Sequence, residues 1–238
     1  MSISTILTQY KRPHLHELQV ESIKSQSIPC SEIFCWVNSC DHSFVRVEGV
    51  SYICCDNNWK FHGRFALALL CQNPIVAVFD DDIVPGKHWF KNCMEHVDRG
   101  ILGSSGVALP SSGYTPNAKY GHLGIHNERL VEVDLVGHSW FMKKEFVRYM
   151  FSEEPYSWNN AEDIQLAAIA KSKGKVGSFV PPHPVGQEEL WGCLPQYNGL
   201  GNDWVATSVR SNHYELRSQA VEFYKEKGWE VLCRKMKN

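Results

Sequence analysis

An apolar run that ends in three consecutive aspartates constrains this 238-residue chain more than any other feature. Pro74 opens the run 75–79, IVAVF, whose β-branched residues are typical of a strand buried on both faces. Ligands of open α/β sheets bind at the carboxyl ends of such strands, which is where Asp80, Asp81 and Asp82 follow. Adjacent carboxylates repel one another, and a divalent cation neutralises them. The triplet therefore predicts a site for Mg²⁺ or Mn²⁺ that also binds substrate phosphates, the alternative being a solvated acidic turn.

Composition excludes several classes of protein. The net charge of −2 comes without the dense basic block by which proteins bind nucleic acid. No apolar run approaches the roughly 18 residues that span a bilayer, and residues 1–10 lack the pattern of a signal peptide. Several of the nine cysteines lie in apolar segments, which favours free thiols in a reducing compartment. We therefore expect a cytoplasmic protein with no nucleic-acid partner and no membrane span.

The order of the segments predicts the fold class. Strands and helices alternate over the first 85 residues, which indicates an α/β fold with a mainly parallel sheet flanked by helices. The expected strands are 4–7, 32–37, 50–55, 75–79, 106–109 (within an otherwise irregular segment 100–120), 130–136 and 175–180. The expected helices begin at residue 15 and cover 61–71, 141–150, 161–171 and 213–228, with a loop or lid over 187–203. Because no linker or repeat interrupts the chain, we expect a single compact domain over residues 1–238.

A second pair of acids, Glu162 and Asp163, falls in the first turn of the helix expected at 161–171. Sugar chemistry needs a carboxylate near the reacting carbon as base or nucleophile. Acids in a first turn also complement the helix dipole, and Asn160 with Asp163 resembles a capping box. The acidic triplet upstream favours the catalytic interpretation.

Three further residues suit a phosphate-bearing ligand. Arg64 lies on the helix before the acidic strand, where a guanidinium can hold phosphate through two hydrogen bonds. Tyr10 and Arg12 follow the first strand, where they can stack on a base and contact phosphate. An ordinary solvated arginine and an ordinary loop are the alternatives.

Together these segments resemble metal-dependent glycosyltransferases with the GT-A fold, and in particular the exostosin-like glycosyltransferase family 64. That family's Asn-Asn-Arg-Phe segment and its acidic triplet are similar to Asn57-Asn58, Gly63-Arg64-Phe65 and the triplet at 80–82. Its Asn-Cys-Glu-Asp-Ile segment resembles residues 160–164, and its late His-Phe…Arg-Ser segment resembles residues 213–218. The likeness runs in order from about residue 8 to about residue 228.

The resemblance implies an activity and a set of site residues. The chain would move a sugar from a nucleotide-sugar donor, with UDP-sugar favoured, to a glycan or glycoprotein acceptor, with retention at the anomeric carbon. It implies that Asp82 and Asp80 bind Mn²⁺ or Mg²⁺ together with a late histidine, His183 or His213. It implies a reaction centre formed by Asp163, Glu162 and Arg64. It implies a nucleotide-sugar pocket formed by Gln9, Tyr10, Arg12, Asn38, Asn58, Arg64, Asp80, Asp81, Gly137 and Arg217. Residues of about 1–100 would form the nucleotide-sugar half, and residues of about 101–238 the acceptor half.

Two other functions fit parts of the sequence. In a haloacid-dehalogenase-like phosphatase, Asp80 would be the nucleophile and Asp82 the general acid, with Mg²⁺ bound beside them. That motif usually opens its domain, whereas three expected strands precede it here. A non-catalytic module that binds sugar nucleotides or glycans would use the aromatic segment 191–204, and would have no need for two sets of carboxylates.

Overall fold

A nine-stranded sheet forms the centre of the protein, in a computed structural model that describes residues 1–40, 43–209 and 211–233. The strands are β1 (Ile3–Gln9), β2 (Glu32–Asn38), β3 (Ser51–Cys55), β4 (Ile75–Phe79), β5 (Gly100–Ala108), β6 (Ala118–Gly121), β7 (Val131–Val133), β8 (Leu135–Lys143) and β9 (Gly177–Val180). The α-helices are α1 (His16–Lys24), α2 (His62–Leu70), α3 (Trp89–Met94), α4 (Glu162–Gly174) and α5 (His213–Glu226). Short 3-10 helices cover Pro13–Leu15, Val97–Arg99, Lys144–Phe151, Glu188–Leu190, Pro195–Tyr197 and Thr207–Val209. None of the described helices is long and apolar enough to cross a membrane.

The strand order places a crevice at the end of the acidic strand. The order is β3-β2-β1-β4-β8-β5-β9-β7, with β6 paired to β5. β1 pairs in parallel with β2 on one side and β4 on the other, so the connections change direction between β1 and β4. Ligands of open α/β sheets bind at such a point, beyond the carboxyl ends of the strands. Six strands run in one direction and β6, β7 and β8 run against them, which confirms the expected mainly parallel α/β sheet.

Burial on both faces explains the unbroken apolar run of β4. Val76 and Val78 pack into a core formed with α2, α4 and α5. Ile75, Ala77 and Phe79 pack into a second core, formed with α1 and α3 on the other face. The sheet therefore lies between two helical layers, and the first polar residue after β4 emerges at its edge.

Gly100–Ala108 is a nine-residue strand, not the irregular segment with a short strand at 106–109 that its glycines predict. A Cβ on Gly103 would lie 2.4 Å from Cβ of Val136, and one on Gly106 would lie 2.6 Å from Cγ2 of Val180. These glycines let neighbouring strands approach closely, so here they belong to the sheet rather than to a loop.

The helix expected at 141–150 begins three residues too early and is a 3-10 helix. Residues up to Lys143 complete β8, which lies between β4 and β5, and a 3-10 helix follows. A short apolar run fits both a buried strand and a buried helix, because an unbroken run shows neither the helical period nor the strand period. α4 forms close to the expected position, but Ala161 rather than Asn160 is its N-cap, in a left-handed conformation with no side-chain cap.

Candidate functional site

A cavity of about 340 Å³ opens at the carboxyl ends of β1 and β4. Most of the residues expected in a nucleotide-sugar site line it, from both halves of the chain. They are Tyr10, Arg12, Asn38, Asn58, Arg64, Asp80, Asp81, Asp82, Gly137, Glu162, Asp163, His213 and Arg217. Gln9 and His183 are absent from its lining.

Asp80, Asp82 and His138 form the group best suited to a metal ion. Each offers one ligand atom, and these three atoms lie within 4.8 Å of one another. Among the described residues, no other group of three or more His, Cys, Asp or Glu side chains has ligand atoms this close together. Two carboxylates and an imidazole suit Mn²⁺, and carboxylates also bind Mg²⁺.

A β-bulge brings His138 to the acidic strand. β8 pairs with β5 at Gly137 and again at Trp140, but the register shifts between these two pairs. His138 takes a left-handed conformation at this shift, with φ of 67°. Its carbonyl accepts a hydrogen bond of 2.9 Å from the Asp80 amide, and its Nδ1 lies 3.9 Å from Asp80 Oδ2. Bulges and strained backbone of this kind re-aim side chains at functional sites.

The charges of the triplet fit a cation. Burial raises the pKa values of Asp81 and Asp82, and the adjacent carboxylates raise them further. Asp82 Oδ1 is buried and has no hydrogen-bond partner among the described residues. A buried acceptor without a partner is costly, and a cation bound at this position would satisfy it.

Two arginines partly neutralise the triplet. Arg12 Nη1 lies 2.6 Å from Asp81 Oδ1 and 3.4 Å from Asp82 Oδ2. Arg64 is buried on α2, where it pairs with Asp80 and, at 3.2 Å, with Glu162. Its guanidinium also packs 4.8 Å from the centre of the Trp140 ring. Arg64 therefore joins the acidic strand to α4 across the cavity.

The first turn of α4 forms the opposite wall. Asp163 Oδ2 accepts a 2.6 Å hydrogen bond from Arg217, and its Oδ1 accepts one of 2.9 Å from the Ile164 amide. Arg217 itself packs 4.2 Å from the centre of the Tyr114 ring. Burial, with the neighbouring Asp163, raises the pKa of Glu162. Both Asp163 oxygens thus have a hydrogen-bond donor, while Glu162, with its raised pKa, retains a proton more readily than a solvated glutamate.

A chain of hydrogen bonds lines the side of the cavity near β1. Asn58 Nδ2 donates to the Tyr10 hydroxyl at 2.9 Å, and Asn38 Nδ2 donates to Asn58 Oδ1 at 2.8 Å. Asn38 Oδ1 accepts in turn from the Trp59 amide. These three expected nucleotide-site residues are therefore brought together and oriented before any ligand binds.

Two expected site residues lie outside the cavity lining, and a third lines it apart from the candidate metal group. Both polar atoms of the Gln9 amide bond the backbone of Val45, which turns Gln9 away from the cavity. His183 is fully buried, bonds backbone atoms of Pro181 and Gly192, and lies outside the candidate metal group. His213 lines the cavity but also lies outside that group. The histidine that the structure groups with the aspartates is His138, and a metal role for His183 or His213 stays a prediction.

Sequence reasoning missed two residues of the site. His138 reaches Asp80 only through the antiparallel pairing of β4 with β8, which no local pattern reveals. Asp203 comes from the loop expected to act as a lid, and its carboxylate binds Arg12 through two hydrogen bonds of 2.8 and 2.7 Å. The position of Asp203 in that loop was the only sequence feature that pointed to it.

Comparison with known proteins supports the fold but not a family. No protein-family model and no curated protein matches the sequence. The chain is similar to S. aureus TarS 1–349 in complex with UDP, with a TM-score of 0.55 and 14% identity over 77% of this chain and 59% of that one. It is also similar to the mannosyltransferase PcManGT from Pyrobaculum calidifontis in complex with GDP-Man and Mn²⁺, with a TM-score of 0.50 and 14% identity over 78% of this chain and 58% of that one.

These similarities show the fold alone. The neighbours are glycosyltransferases of the GT-A fold, and the mixed α/β domain described above matches them. The chain spans less than two thirds of the length of either neighbour. The GT-A fold expected from the sequence is confirmed, and the narrower likeness to family 64 stays a prediction.

Proposed function

We propose that this protein is a metal-dependent glycosyltransferase that moves a sugar from a nucleotide-sugar donor to a hydroxyl of a glycan or glycoprotein. One observation carries the proposal. Asp80, Asp82 and His138 face one cavity together with Glu162 and Asp163, and Arg64 bridges the two acidic groups. In a GT-A domain this arrangement provides a diphosphate site and a reaction site next to each other.

The metal side would bind the donor's diphosphate. Asp80, Asp82 and His138 would hold Mn²⁺ or Mg²⁺, and the cation would stabilise the charge of the leaving diphosphate. Arg12 and Arg64 would contact phosphate oxygens, because a guanidinium matches phosphate geometry. Asp81 would bind a ribose or sugar hydroxyl once donor binding draws Arg12 toward phosphate.

The opposite wall would carry the transfer. Both oxygens of Asp163 already accept hydrogen bonds, one from the Ile164 amide and one from Arg217. This supports retention, in which Asp163 stabilises positive charge at the anomeric carbon rather than deprotonating the acceptor. Glu162 would lie beside the acceptor hydroxyl, and Gly137 would leave room for the sugar beneath Asp163.

The nucleotide pocket is proposed beside β1. The chain of hydrogen bonds from Tyr10 through Asn58 to Asn38 would recognise the base and ribose. We favour a UDP-sugar donor and the family 64 resemblance, which Arg64 and the triplet support by their order along the chain. Residues of about 1–100 would then form the donor half and those of about 101–238 the acceptor half. The nine free cysteines favour a reducing compartment such as the cytoplasm.

A panel of thermal-shift measurements tests this proposal. UDP, GDP, CMP and UDP-sugars are each added with and without Mn²⁺. A ligand at a hundredfold excess over its dissociation constant stabilises the native state by about 2.7 kcal/mol. We expect a shift that is selective for one nucleotide, needs Mn²⁺ and disappears in Asp82→Ala. No shift with any nucleotide, together with Mg²⁺-dependent hydrolysis of a generic phosphate ester, would instead indicate the dehalogenase-like phosphatase.

Two further measurements refine the proposal. NMR analysis of the anomeric configuration of the product distinguishes retention from inversion. Asp163→Ala distinguishes an enzyme from a binding module, because the enzyme loses transfer in this variant while a module keeps its ligand affinity.

A further inference from the structure

Arg12 is shared between two sets of carboxylates that compete for it. Its Nε and Nη2 bind both oxygens of Asp203, at 2.8 and 2.7 Å. Its Nη1 binds Asp81 at 2.6 Å and approaches Asp82 Oδ2 at only 3.4 Å. The guanidinium therefore gives its paired donors to Asp203 and leaves Asp82 with a single long contact.

The segment Gly199–Ala206, which we name the strap, fixes Asp203 in this position. Asp203 Oδ1 also accepts hydrogen bonds from the amides of Val205 and Ala206, at 2.9 and 3.2 Å. Lys11, next to Arg12, places its ammonium 5.2 Å from the centre of the Trp204 ring. The strap is therefore attached to the segment after β1 by two neighbouring contacts, Asp203 with Arg12 and Trp204 with Lys11.

The strap backbone lies directly on the candidate metal ligand. A Cβ on Gly201 would lie 1.8 Å from Asp82 Oδ2, so a side chain at this position would displace the carboxylate. The Gly201 carbonyl accepts a further hydrogen bond of 3.2 Å from Arg12 Nη2. The strap thus controls where the guanidinium lies relative to Asp82.

We propose that Asp203 is a positioning residue: by holding Arg12 through two hydrogen bonds, it prevents the guanidinium from occupying the cation's place on Asp82. This inference rests on the proposed function to the extent that Asp82 binds a divalent cation. A guanidinium pairs most strongly with carboxylates through two parallel hydrogen bonds. Without Asp203, Arg12 has the donors to form such a pair with Asp81 and Asp82, and its Nη1 already lies 3.4 Å from Asp82 Oδ2. A cation would then have to displace a charged group that already neutralises its ligands.

The test measures Mn²⁺ affinity in the absence of nucleotide, from the electron paramagnetic resonance signal of free Mn²⁺. Asp203→Asn keeps an oxygen for the amides of Val205 and Ala206 but loses its charge. We expect this variant to raise the Mn²⁺ dissociation constant about tenfold, equivalent to about 1.4 kcal/mol. Asp98→Asn is the matched control, because Asp98 is an exposed aspartate paired with Lys143 at the opposite edge of the sheet.

A double-mutant cycle separates competition by Arg12 from the simple loss of a nearby negative charge. In an Arg12→Gln background the competitor is gone, so Asp203→Asn is expected to change the dissociation constant by less than about twofold. An equal loss in both backgrounds, or no loss in the wild-type background, would overturn the inference. Asp82→Asn separates the two proposals: if the wild-type protein binds no Mn²⁺, or binds it equally well without the Asp82 charge, the proposed metal site itself fails.

Discussion

The two acidic walls of the cavity differ in how their charges are compensated. On the α4 wall, Asp163 has a hydrogen-bond donor for each oxygen, and Arg217 pairs with it at 2.6 Å. On the β4 wall, Asp82 Oδ1 is buried without a partner among the described residues, and Arg12 forms two of its hydrogen bonds with Asp203. The Asp163 carboxylate is satisfied as it stands, while the β4 wall brings three adjacent carboxylates together. Under the proposed function, the α4 wall would be built in advance and the β4 wall would be completed by a cation.

Arg64 joins the two walls, and its loss should have the largest effect. In Arg64→Leu, Asp80 and Glu162 lose their shared partner, and a buried pair that loses one member costs about 3–5 kcal/mol. Urea unfolding measures this loss, and Arg99→Leu is the control because Arg99 is exposed. A loss no greater than that of the control would show that the walls are not coupled through Arg64.

Neutralising one aspartate on each wall should change stability in opposite directions. Asp163→Asn leaves Arg217 buried without its counter-charge and should cost about 2–3 kcal/mol. Asp82→Asn removes like-charge repulsion from the triplet and should leave the metal-free protein unchanged or more stable by about 1 kcal/mol. Both variants are compared with the wild type by urea unfolding in EDTA. Equal destabilisation by both variants would remove the distinction between the walls.

A buried histidine outside both walls should account for part of the acid sensitivity. Burial lowers the pKa of His183 from 6.5 to about 4. Between pH 6.5 and pH 4 the unfolded chain binds a proton that the folded chain does not, so stability is present above this window and falls as the pH falls through it. At pH 5 the loss is about 2 kcal/mol.

Urea unfolding from pH 8 to pH 4.5 measures this effect. We expect His183→Gln to be less stable than the wild type at high pH, because one backbone hydrogen bond is lost. As the pH falls, this variant should lose less stability than the wild type does. His96→Gln, at a half-buried position, serves as the control. If the unfolding free energy of His183→Gln fell at low pH as steeply as that of the wild type, this would contradict a neutral structural role for His183.

The smallest expected effect concerns the third candidate ligand. His138→Gln should raise the Mn²⁺ dissociation constant about tenfold, or about 1.4 kcal/mol, while His213→Gln leaves it unchanged. Electron paramagnetic resonance with Mn²⁺ measures both. A loss confined to His213→Gln would restore the late histidine that the sequence resemblance implied.

Features that depend on residues adjacent in the sequence were predictable, whereas features that depend on contacts between distant segments were not. β4 and the triplet were predictable, because a buried run followed by acids is a local pattern. Glu162 and Asp163 were equally visible in the first turn of α4. β5 was predicted too short, because glycines such as Gly103 and Gly106 are typical of a loop, yet here they allow close contact with Val136 and Val180. The closeness of His138 to Asp80 depends on an antiparallel pair between residues about 60 positions apart, and such pairing leaves no local trace.

The most direct test of the account is to measure the nucleoside diphosphate released from UDP- and GDP-sugars by mass spectrometry, with a glycan acceptor mixture present. The account predicts release from one donor class with Mn²⁺, no release in EDTA, and none in Asp82→Ala although this variant still folds. Release of inorganic phosphate instead, or release that is unchanged in EDTA and in Asp82→Ala, would contradict metal-dependent sugar transfer at this site.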